Sequence, residues 1–322
     1  MSRRASALVA LLWLALARPG HAREVDQFTD RLFQLDHLAD AAAVIDARMN
    51  ALLAELVVEL EARHPSSPRE RDLIVEEVTQ GSHLEFIAQL RSPLEAWLRE
   101  VAPVQLFWVA HRGIYGGDVD YDDMGLAWYI DNAPVIRIGP LLVGLDKLGH
   151  FLGQGWFYAR AYEALRSADP RATEEELLGR VRAYGHELEL GYQGLTGTGV
   201  YSYADLAANW QGFQFYRALW AGPRPFLIAS HGSYRVARTF HILDYATDAW
   251  DEATNPSRPR TERFFGKGVR YLRAHVCEAY RGAVIKFTNA SGRDQDPREY
   301  VWEGARPFGA AHRWQLADIC HS

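Results

Sequence analysis

A mainly α-helical protein, a multi-helix bundle with a small β element around residues 104–138, is predicted by three features of the 322-residue sequence. Long segments place apolar residues three and four apart, the repeat of a helix with one buried face. Serine followed three residues later by an acidic residue recurs at the heads of such segments, as at a capped helix start. The helical period lapses between Pro103 and Pro140, where short β-branched and aromatic runs replace it.

Ser2-Arg3-Arg4, the apolar run Ala5 to Ala17, and Arg18-Pro19-Gly20-His21-Ala22 have the three regions of a secretory signal peptide cleaved after Ala22. Loss of residues 1–22 removes three arginines and no acid, taking the formal charge from -6 to -9. That balance excludes nucleic acid as a partner class. The two cysteines, Cys277 and Cys320, read as one disulfide in an exported chain. No later stretch offers 18 uncharged apolar residues, so the expectation is an exported, periplasmic protein, at most peripheral to a membrane.

Residues 23–101 read as an N-terminal helical segment, and 102–322 as a central helical core with a C-terminal wall, the two forming one domain. From Phe28 to Leu60 steps of four and three trace a long helix, whose narrow stripe suits a bundle or a homodimer seam. Pro65 to Pro68 ends it, and capping boxes follow at Ser67 with Glu70, Ser82 with Glu85 and Ser92 with Glu95. Short strands are expected within 104–109, 126–130 and 135–138. The acidic stretch Asp118 to Gly125 has Asp123 where a calcium loop needs glycine, and reads as a solvated turn.

Three central helices carry polar groups in apolar surroundings. The first runs from Asp146 to Ser167 with Gly149 and Gly153 four apart; the third starts after Ser202 with Ala204, Ala208 and Gly212 at the same spacing. Small residues four apart suit a close helix crossing, so these two stripes are expected to face each other. Asp146 and His150 would then lie near Asp205 and Asn209. Between them, Glu175 to Leu190 buries Leu177, Val181, Tyr184 and Leu188. Glu187 and Glu189 flank that stripe and His186 points away. Glycines 191, 194, 197 and 199 form a loop before the third helix, read as flexible or as a cradle for an anion. Beyond Pro223, Asp244, Asp248, Asp251 and Glu252 surround Trp250 in what reads as a capped helix and turn. Gly266 to Gly282 reads as a further helix onto which Cys320 pins the C-terminal tail.

Asp146, His150, Glu187 or Glu189, and Asp205 have the chemistry of a pocket. A histidine and carboxylates on neighbouring turns bind a divalent metal, with Asp146, His150, Glu189 and Asp205 as its ligands, or run acid–base chemistry with His150 as the base. Either points to a hydrolase acting on an envelope lipid or phosphoester. A structural reading stands beside it: Asp205 completes a Ser-x-x-Asp cap, Lys147 is solvated or salt-bridged, and the network fixes helix register. The chain is then a non-catalytic scaffold or a binding module for a lipid-like envelope ligand.

Asp146-Lys147-x-x-His150-Phe151, Glu189 with Gln193, and Tyr201-Ser202-x-x-Asp205-x-x-Ala208-Asn209-x-x-Gly212 resemble the pattern of the VanZ-like family and related exported bacterial proteins. The resemblance covers residues 146–212. It implies a cell-envelope setting, the family being associated with glycopeptide (teicoplanin) resistance without an established reaction. Members are multi-pass membrane proteins, and this chain differs in lacking such spans.

Overall fold

The computed structural model describes residues 22–24, 37–81, 93–106, 114, 130–191, 193–230, 232–278 and 313–321. The expected leader (save Ala22), helix residues 28–36, the caps at Ser82 and Ser92, the acidic turn at 118–125 and most of the strands at 104–109 and 126–130 lie outside them.

Helix α1 (Ala42–Arg63) starts within the apolar stripe, and the described residues just before it, 37–41, are not helical. Asp40 sets that start: its Oδ1 accepts hydrogen bonds from the amides of Ala42 and Gly139, both at 2.9 Å, while its backbone bridges Arg137. The chain before Ala42 is thereby held on a β-hairpin instead of continuing the helix. His64, with φ of 47°, ends α1, and Ser67 caps α2 (Pro68–Gln80) with proline in its first turn, as the sequence predicts. Helix α3 (Pro93–Glu100) follows.

A short strand β1 (Ala22–Glu24) runs parallel to β2 (Ile130–Asn132). Strand β3 (Val135–Ile138) turns at Gly139 into β4 (Leu141–Gly144), giving an antiparallel hairpin that pairs Ile138 with Leu141. It delivers the chain directly into α4, residues 146–168. This helix is α-helical over Asp146–Gly149, widens to a π-helical stretch over His150–Gln154, and is α-helical again over Gly155–Ala168.

Helix α5 (Glu174–Leu190) has a full capping box between Thr173 and Glu176. Strand β5 (Val200–Tyr201) leads into α6 (Tyr203–Trp220), capped by Ser202. A second hairpin joins β6 (Leu227–Ser230) to β7 (Ser233–Val236), two strands that the residue pattern does not announce. The expected helix around Trp250 is instead two 3-10 turns, Ile242–Asp244 and Asp248–Trp250. Thr247 and Asp251 take up the local amides of Ala249 and Ala253 there, which favours tight turns over a helix. Strand β8 (Arg258–Pro259) pairs with β5, and α7 (Glu262–His275) and α8 (Leu316–His321) close the described chain.

One hydrophobic core runs from Ala41 to Trp250 through α1 to α6. The α1 stripe of Ile45, Met49, Leu53, Leu56 and Leu60 belongs to it, so the seam that would suit a second copy is buried within the chain; the opposite face shows Val58, 63% exposed. Phe151 sits at the centre, its ring 5.4–5.7 Å from those of Phe215, Tyr245 and Trp250. A smaller cluster joins α7 to α8 around Phe264, Leu272 and Trp314, where Cys277 and Cys320 form the expected disulfide. No described helix is long and apolar enough to cross a membrane.

Candidate functional site

The crossing of α4 and α6 is closer than any side chain permits at two points. A Cβ on Gly212 would lie 1.8 Å from the Phe151 carbonyl oxygen, and one on Gly155 would lie 2.5 Å from the Gly212 backbone. Gly212 thus stands on the α6 side of the contact, and Ala204 and Ala208 on the same helix are buried. On α4 the contact is made at Gly155 and at the Phe151 backbone, which lies within the predicted Gly149–Gly153 stretch.

Lys147 stands at the centre of the site this crossing creates. Its side chain is 0% exposed, and its Nζ lies 2.8 Å from Asp146 Oδ2, 2.6 Å from Asp205 Oδ1 and 2.9 Å from Glu252 Oε1. Burial opposes its charge, but the three carboxylates raise its pKa well above the usual lysine value. Of the two readings of Lys147, solvated or salt-bridged, the second holds. Glu252, which the sequence placed only in an acidic cluster, is a member of the centre and is fully buried. Burial pushes its carboxyl up to about 7, against the pull of Lys147.

His150 is the member nearest solvent, with 19% of its side chain exposed. Its Nε2 lies 3.2 Å from Asp205 Oδ2 and its Nδ1 3.0 Å from Asn209 Oδ1. Asn209 in turn donates from Nδ2 to Tyr158 Oη at 3.3 Å. Asp205 is held below the usual carboxylate range: burial acts to raise it, and His150 and Lys147 together overcome that.

Asp205 is no mere cap. Ser202 Oγ accepts the Asp205 amide at 3.1 Å, but the reciprocal bond to the Ser202 amide comes from Glu189 Oε1 at 2.7 Å, across from α5. In an ordinary capping box the third helical residue would make that bond. Here Glu189 makes it, and the Asp205 carboxylate is left to Lys147 and His150.

The same geometry explains the glycine loop. A Cβ on Gly194 would fall 2.4 Å from Glu189 Oε1, and the amides of Leu195, Thr196 and Thr198 bond to carbonyls of Glu189, Gly191 and Gly194. These loop amides are taken up by main-chain carbonyls, and Gly194 lets the loop pack closely against the Glu189 carboxylate, where an external anion was one expectation. Burial, reinforced by Asp205, raises the Glu189 pKa well above the usual carboxylate value. Glu187 is exposed, so of the two glutamates Glu189 turns inward. His186 was expected to point away; it is buried, with Nδ1 2.7 Å from Tyr201 Oη, because β5 covers that side of α5.

Asp146, His150 and Asp205 each bring one ligand atom within 4.8 Å of the others. Glu189, bound to the Ser202 amide, is not in that group. Lys147 engages Asp146 Oδ2 and Asp205 Oδ1, Asp205 Oδ2 lies beside His150 Nε2, and Asp146 Oδ1 is buried and accepts no hydrogen bond. The donor set suits a first-row divalent cation, and the 3.2 Å between His150 Nε2 and Asp205 Oδ2 is near the roughly 3.3 Å between ligands of a tetrahedral zinc.

No protein-family model matches the chain, and no curated protein or solved structure matches it either.

Proposed function

We propose that the chain is an exported cell-envelope protein in which Asp146, His150 and Asp205 hold a divalent metal ion for hydrolysis of an envelope ester or phosphoester. The observation that carries this is Asp146, which brings a carboxylate oxygen within 4.8 Å of His150 and Asp205 and whose Oδ1 is buried without a hydrogen bond. Leaving such an oxygen unmatched is costly, and a cation would remove the cost. When bound, the metal would lower the pKa of its water toward neutrality and so supply a nucleophile.

The chain's own residues do the rest. Lys147 neutralises one oxygen of each aspartate and, by holding Asp205 Oδ1, leaves Asp205 Oδ2 to His150. Solvent reaches the centre at His150, so substrate approaches from that side. The envelope setting rests on the N-terminal leader pattern and on the VanZ-like resemblance of residues 146–212.

A second reading is favoured by one observation, the complete burial of Lys147 among three carboxylates. It makes the centre a polar clamp that fixes the register of α4 against α6 in a non-catalytic envelope protein. Hydrolysis of chromogenic carboxylic and phosphoric esters by the mature protein, with and without a chelator, separates the two. The metal reading expects turnover that chelation abolishes and zinc or manganese restores, and that Asp146→Asn lacks. Indifference of any turnover to both chelator and Asp146→Asn would leave the clamp.

A further inference from the structure

We infer that Asn209, oriented by Tyr158, is the positioning residue that turns the unprotonated Nε2 of His150 toward Asp146 and Asp205, an inference that rests on the metal reading above. Neutral imidazole has one donor and one acceptor nitrogen, and the hydrogen bond at one decides the role of the other. Asn209 offers His150 Nδ1 its carbonyl oxygen at 3.0 Å, an acceptor, so Nδ1 carries the hydrogen. Nε2 then has its lone pair directed at the side where Asp205 Oδ2 and Asp146 converge. Two lone pairs facing each other at 3.2 Å repel unless a cation or a proton stands between them.

The opposite amide orientation has the opposite consequence. With Nδ2 toward His150, Nδ1 would accept, Nε2 would donate to Asp205, and neither nitrogen would be free for a metal. Asn209 therefore selects between a metal ligand and a plain Asp–His pair. Tyr158 completes the relay in the orientation seen: its hydroxyl takes the Asn209 Nδ2 hydrogen at 3.3 Å and is itself fixed in place against α5. A Cβ on Gly185 would lie 1.9 Å from that hydroxyl oxygen, so Gly185 admits the tyrosine to this position. Asn209 and Tyr158 are both buried and neither faces solvent.

The test is the ring nitrogen spectrum of the full chain labelled with 15N-histidine and freed of metal, His150 being assigned by its loss in His150→Gln. The expected result is a slowly exchanging Nδ1–H resonance for His150, absent in Asn209→Ala and kept in Asn209→Asp, which can only accept. Zinc affinity is expected to fall 10- to 100-fold in Asn209→Ala, the usual effect of removing a partner that orients a ligand. An unprotonated His150 Nδ1 in the wild type would overturn the inference, as would an Nδ1–H or a zinc affinity unchanged by Asn209→Ala. Should Asn209→Ala fail to fold, the wild-type and Asn209→Asp spectra decide. A wild type that shows the resonance and binds no metal sinks the metal reading and leaves the Asn209–His150 relay standing.

Discussion

Lys147 and Glu252 lie 105 residues apart and meet at 2.9 Å in the interior, a pairing that spacing along a helix cannot reveal. A lysine beside an aspartate at a helix start reads as surface, and only the packed structure shows that every side of it is covered. Removing the ammonium would leave carboxylates buried without compensation, so Lys147→Met is expected to lose about 3–5 kcal/mol in denaturant unfolding. Glu252 behaves differently because its folded pKa is raised to about 7 from the usual 4.5. The folded state then holds more protons than the unfolded state between those values, and its stability falls as pH rises through that window. Glu252→Gln removes this dependence. Relative to the variant, the wild type should lose roughly 3 kcal/mol between pH 4.5 and 7 and stay level above, as read by unfolding midpoints across pH. Equal pH slopes for the two proteins would show that Glu252 is not the titrating group. Asp146, His150, Asp205 and Asn209 were legible because two helical spacings of four bring them to one crossing. Choosing Glu189 over Glu187 and placing His186 inside needed the neighbours of α5, since its covered face is wider than its aliphatic stripe.

Helix boundaries followed local chemistry closely where a cap was written in the sequence. Ser67, Thr173 and Ser202 begin helices with their hydroxyls accepting the amides of Glu70, Glu176 and Asp205. The start of α1 was not legible, because Asp40 answers to Gly139, 99 positions on, as well as to Ala42. The π-helical stretch His150–Gln154 was equally hidden: nothing in HFLGQ marks an extra residue in the turn. It matters for the site, since π turns collect at functional centres and this one carries His150. Two glycine substitutions test the element packing. Gly212→Ala must push apart the backbones of α4 and α6, and a loss of several kcal/mol is expected, as for overpacking that cannot relax. Gly179→Ala, on α5 with nothing within 4 Å of the new Cβ, should gain up to about 1 kcal/mol from helix propensity alone. Thermal unfolding of the pair checks both, and similar shifts would contradict the α4–α6 contact.

At the scale of the molecule, helices α1 to α3 share one core with the three that carry the centre, and the predicted mainly helical class with a small β element holds. What composition could not show was that the C-terminal wall has its own small cluster, tied to itself by Cys277–Cys320 across 43 residues. Closing that loop restricts the unfolded chain, so the paired Cys277→Ser and Cys320→Ser variant should lose about 4 kcal/mol on the chain-entropy model. That loss should leave the metal content of the folded protein unchanged, because α7 and α8 contribute no member of the Asp146–His150–Asp205 set. The metal itself is the claim on which the rest depends. Elemental analysis of the purified mature protein beside His150→Ala measures it most directly. Near-stoichiometric zinc, manganese or iron is expected in the wild type and little in the variant; no metal in either, in protein purified and refilled without chelator, would rule the metal centre out.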